Sequence, residues 1–173
     1  DIGQFESDLT VHAAIADHFG NRLSIHSGSD KFSVFPLIGS YTSGRFHVKT
    51  AGTNWLEAVR VIASKDPSLY REMHQYALDN FHEAVTYYHV GTRIEDIPPL
   101  DTMTDIALVD YMDEANARQL MHITYGILLQ SKDDKGEYLF RDRIFQTLTG
   151  NYVDYKNNLI NHIGKHIELL GIK

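Results

Sequence analysis

The sequence predicts a helix-rich α/β fold, and three observations carry that prediction. Two short β-type runs, Leu23 to Ile25 and Phe46 to Val48, each lead into a polar, turn-forming stretch. The link between them, Phe32 to Tyr41, is short and apolar with Pro36 placed to open a helical turn, so the two runs can lie parallel across a crossover. Helical periodicity then dominates the last two-thirds of the 173 residues.

In chain order, Leu9, Val11, Ala13, Ile15, Ala16 and Phe19 approximate a helical stripe over Phe5 to Phe19, and Gly20-Asn21 supplies a stop. The strand at Leu23 and Ile25 ends in Ser27-Gly28-Ser29-Asp30, and the second strand runs into Lys49-Thr50-Ala51-Gly52. Gly39 to Gly44 reads as a loop. Thr53 is placed to cap a helix over Asn54 to Ala63, whose Trp55, Leu56, Val59 and Ile62 form a buried stripe. Asp66-Pro67 opens another from Ser68 to about Tyr87. Arg93 to Asp101, with two adjacent prolines, reads as a linker, and Ile106 to Gln130 as one long helix that Gly126 does not break. Ser131 to Gly136 is a polar turn, followed by helices over Arg141 to Leu148 and Tyr152 to Leu170.

Composition narrows the function classes. With 43% hydrophobic residues and a net charge of -7, the chain is globular and has material for one core. Its 16 basic residues are scattered, which argues against binding a phosphate backbone, so nucleic acid is not an expected partner. The absence of cysteine rules out disulfides and thiolate chemistry and fits a cytoplasmic setting; a metal would need His, Asp, Glu or backbone oxygen. No apolar run approaches the roughly 18 residues of a membrane helix, so no membrane association is expected. A chain opening on Asp1 rather than Met is expected to be a fragment.

Chemistry concentrates after the strands. His26 to Ser33 packs an imidazole, a carboxylate, an ammonium and three hydroxyls into eight positions. In parallel α/β architectures the carboxyl ends of strands converge on the ligand crevice, which gives such a cluster a route to function. The same Ser-Gly-Ser-Asp string is also ordinary turn and capping chemistry. Lys49, two positions beyond His47, should share its face, either in a crevice or with His47 in the core and Lys49 reaching solvent. His162 and His166, at i and i+4, lack the Glu of a zincin motif and read as an exposed helix face. Asp110, Asp113 and Glu114 read as a solvated helix face, and no Walker A, dinucleotide fingerprint or nucleophile elbow is present.

The strings His12 to Ala16, Leu23 to Ser33 and Arg45 to Ala58, continuing through Val59 to Ala63 and the Asp66-Pro67 helix start, resemble the tagaturonate epimerase family. The resemblance covers residues 8 to 90 closely and is to the C-terminal portion of longer members. It implies the C-terminal part of a (β/α) TIM-barrel-like domain with two short parallel strands, residues 1–92 belonging to the barrel-like catalytic domain and 93–173 to a helical extension packed on it. It also implies a cytoplasmic, metal-dependent isomerase of carbohydrate acids that interconverts tagaturonate and fructuronate, this chain supplying part of the site. Carried over by motif, His26 and His47 become candidate ligands of a divalent cation. Asp30 and Lys49 take acid/base or substrate-carboxylate roles, and Ser27, Ser29, Lys31 and Thr50 contact the sugar acid. The two substrates differ at a hydroxyl-bearing carbon not adjacent to the ketone, so simple enolisation does not labilise its proton. A retro-aldol route is the expectation, and it requires a Lewis acid and a base for a hydroxyl proton.

Two other readings compete with this one. Another metal-dependent barrel sugar isomerase or aldolase would use strand-end histidines equally well. A non-catalytic helical fragment would self-associate, as a homo-oligomer, through apolar faces such as Val85, Tyr87, Tyr88 and Ile106 to Leu129.

Overall fold

The computed structural model describes residues 1–26, 32–88 and 90–172. Its order is α1 (Ile2–His18), β1 (Leu23–His26), α2 (Phe35–Thr42), β2 (Phe46–Lys49) and α3 (Ala51–Lys65). Then come α4 (Pro67–Asp79), α5 (Phe81–Ala84), α6 (Ala107–Tyr111), α7 (Ala115–Ile123), α8 (Tyr125–Gln130), α9 (Arg141–Gly150) and α10 (Tyr152–Leu169). The predicted helix-rich α/β class and the helix–strand–helix–strand–helix opening are both present.

Two compact units divide the chain, Asp1–Asn54 with Asn157–Lys173, and Trp55–Lys156. In the first, β1 and β2 pair in parallel with Leu23 opposite Phe46, Ser24 opposite His47, Ile25 opposite Val48 and His26 opposite Lys49. Period-two alternation sends Leu23, Ile25, Phe46 and Val48 inward, onto a core of Leu9, Phe35, Ile38 and Leu170. Helix α2 supplies the crossover. Its predicted Pro36 start holds, but Gly39 to Thr42, read as loop, are helical; the chain turns only at Ser43 and Gly44, both at positive φ.

The second unit gathers α4 to α9 and most of α3 around Val59, Ile62, Leu69, Tyr70, Met73 and Leu120. The Asp66-Pro67 step opens α4 as predicted, and Asp66 caps it, its carboxylate accepting from the Leu69 N–H at 3.0 Å. Thr53 is not a cap: α3 begins at Ala51, and Thr53 is a fully buried residue of its first turn. Two predicted long helices are interrupted. At Asn80 the side-chain amide donates to the Tyr76 carbonyl at 2.8 Å, and α4 ends there. The 106–130 pattern breaks twice, where Glu114 caps α7 through the Ala117 N–H at 2.6 Å and where Thr124 donates its hydroxyl back to the Leu120 carbonyl at 2.8 Å. Gly126 lies inside α8 and breaks nothing.

The 93–101 segment, read as a linker, is tied into this unit. Ile97 and Leu100 are buried, the Leu100 carbonyl accepts from Arg71 at 3.1 Å, and the Pro98 carbonyl accepts from the Tyr111 hydroxyl at 2.7 Å. That last bond fixes a neighbour. Because Tyr111 spends its proton on Pro98, His74 Nε2, at 2.9 Å, must carry a hydrogen and donate to the Tyr111 oxygen. Burial holds the His74 imidazole down to about 4, keeping it neutral. Among the described residues no helix is long and apolar enough to cross a membrane.

Candidate functional site

The alternation that buries the apolar side chains of β1 and β2 lifts Ser24, His26, His47 and Lys49 to the opposite, exposed face. Parallel pairing places residues of equal depth side by side, so His26 and Lys49 are partners at the carboxyl ends, with Ser24 and His47 partners one pleat earlier. His47 is therefore not a core histidine, and Lys49 shares its face. Between the strands, Ser24 Oγ lies 3.3 Å from His47 Nδ1.

Thr50 follows β2 and is half-buried; its carbonyl accepts from the Asn54 N–H at 3.2 Å and so starts α3 at the strand end. Ser27, Ser29, Asp30 and Lys31 lie outside the described residues. Of the eight residues singled out from sequence, the structure thus brings His26, His47 and Lys49 onto one face and sets Thr50 at its end.

Ser24, on the same face, is not singled out from sequence, where the chemistry of the first strand is read from His26 onward. The signal was available: period two puts Ser24 on the His26 face, and parallel register puts it beside His47.

The histidine pair on α10 corrects the expectation of an exposed face. His166 is only 2% exposed, its Nδ1 donates to the His162 carbonyl at 2.8 Å, and its ring packs 5.0 Å from both Phe32 and Phe35. Of the acidic cluster, Asp113 binds the Arg60 guanidinium at 2.6 Å and Glu114 is the α7 cap, so both have structural partners.

A cleft of about 320 Å³ opens at the other, amino end of the strands, lined in part by Asp17, Leu23, Tyr41 and Arg45. It shares no residue with the polar face. Its ionisable members are already engaged, Arg45 with Asp17 and the Tyr41 hydroxyl, which donates to Glu6 at 2.6 Å.

What the residues define is a helix-rich α/β chain with basic and imidazole side chains at the carboxyl ends of a parallel pair, where α/β proteins collect their ligands. The chain belongs to the tagaturonate epimerase family, UxaE, whose model matches residues 1–170. It is 41% identical over 171 residues to the tagaturonate/fructuronate epimerase of Thermotoga maritima, covering 98% of this chain and 34% of that protein. Crystal structures of the fructuronate-tagaturonate epimerase UxaE from Cohnella laeviribosi match throughout. The complex with one glycerol aligns at a TM-score of 0.95 and the native form at 0.94, each 64% identical and each covering 100% of this chain and 35% of the other. The chain spans about a third of the length of these relatives.

Proposed function

We propose that this chain supplies part of the active site of an epimerase that interconverts tagaturonate and fructuronate within a (β/α) barrel-like domain. The observation that carries the reading is the sharing of one face by His26, His47 and Lys49 at the carboxyl ends of parallel strands, in a chain of this family. A cytoplasmic setting accords with a chain that has no cysteine.

The metal reading can be tested against the donor set. Two imidazoles on adjacent strands and one face are suitable nitrogen ligands for a divalent cation. Among the described residues no group of three or more His, Asp or Glu gathers to complete a site. The face fits as a partial site whose other ligands come from elsewhere in the full-length protein. When bound, the cation supplies Lewis acidity to substrate oxygens. Lys49 then offers an ammonium charge for the substrate carboxylate or a proton relay, and Asp30 a base for a hydroxyl proton. Ser27, Ser29, Lys31 and Thr50 would hold the sugar-acid oxygens.

In the full-length protein, His26→Ala should lower both divalent-metal content, measured by elemental analysis after gel filtration, and the rate of tagaturonate–fructuronate interconversion. Unchanged metal content and rate would remove His26 from the site.

A further inference from the structure

We infer that Ser24 is a positioning residue for His47, holding the imidazole so that Nε2 is the nitrogen offered to a ligand; this rests on the metal reading above. The two residues are register partners, so the β ladder fixes their backbones side by side, and Ser24 Oγ stands 3.3 Å from His47 Nδ1. A neutral imidazole has one protonated and one unprotonated nitrogen, and the hydrogen bond at one decides what the other can do. If Nε2 is to ligate, Nδ1 must carry the proton and needs an acceptor. The serine oxygen has two lone pairs and is the side-chain atom bonded to Nδ1. The bond also restricts rotation of a ring that, on an exposed strand face, is not held by surrounding core. Such partners of metal-bound histidines set both tautomer and orientation.

Ser24 lies on the polar face, so its replacement leaves the β1–β2 core untouched. The test uses the full-length protein, with Zn²⁺ and Mn²⁺ titrated separately against a competing chelator, and ¹⁵N-histidine spectra of the metal-free form to read the His47 tautomer. Ser24→Ala is expected to weaken cation binding about tenfold, the lower end of the range for losing a partner of a ligating histidine. It should also shift His47 away from the Nδ1–H tautomer. Ser24→Thr keeps the hydroxyl on a residue suited to strands and should stay within about threefold of wild type. Wild-type affinity and an unmoved tautomer in Ser24→Ala would overturn this inference alone. A wild-type protein that binds neither cation would overturn the metal reading and this inference with it.

Discussion

Gly39 sits in the middle of α2, where glycine is an unfavourable choice, and its replacement tests the packing under the site directly. A Cβ built there would lie 2.3 Å from the Leu170 carbonyl oxygen, 2.9 Å from the carbonyl carbon and 3.4 Å from its Cα. Carbon atoms pack favourably at about 3.5–4.0 Å, so the overlap is about 1 Å. The obstacle is backbone, and it is held: the Leu170 N–H bonds to the His166 carbonyl at 3.0 Å and the Leu170 side chain is in the Leu9, Phe35 and Ile38 core. Exchanging glycine for alanine inside a helix is worth about 1 kcal/mol in favour of alanine. Overpacking costs about 1–3 kcal/mol, and a backbone clash belongs at the upper end. Gly39→Ala should therefore lose about 2 kcal/mol, or about 4–8 °C in Tm for a chain of this size. Gly164→Ala is the matched control, because a Cβ at that position on α10 meets nothing within 4 Å. It should gain up to about 1 kcal/mol from propensity alone. Thermal and urea unfolding followed by far-ultraviolet circular dichroism would measure both. A Gly39→Ala chain as stable as wild type would refute the close approach of α2 to the Leu170 backbone.

Two further outcomes are expected. Because His74 is held neutral by burial down to about 4 against an ordinary value of 6.5, the unfolded chain binds the proton first as pH falls. Its contribution is whole above pH 6.5 and drains away toward pH 4, by about 3 kcal/mol in all. His74→Gln should then show a flatter dependence of the urea midpoint over that range, and parallel slopes in the two proteins would count against it. For the reaction, interconversion in deuterium oxide should leave the inverted carbon without solvent deuterium if the bond beside it is broken and remade; label at that carbon would favour direct deprotonation.

What the sequence revealed follows from how local each signal is. The β1–β2 pair, the α2 crossover and the Asp66-Pro67 helix start were legible because alternation, Pro36 and the Asp-Pro step act over a few residues. The breaks at Glu114 and Thr124 were not, because apolar periodicity runs through them while a capping carboxylate and a back-bonded hydroxyl decide the path. Burial of His166 was equally hidden, since it depends on Phe32 and Phe35, more than a hundred residues away in the chain. At the site, the shared face of His47 and Lys49 could be read from period two, whereas the Ser24 to His47 pairing needed the register between strands.

That register also governs length. Each four-residue strand has a core side and a polar side set by odd and even positions. Inserting or deleting one residue within Leu23–His26 or Phe46–Lys49 would turn the imidazoles onto Leu9 and Phe35 and push Ile25 or Val48 into water. These two segments can exchange side chains far more readily than they can change length.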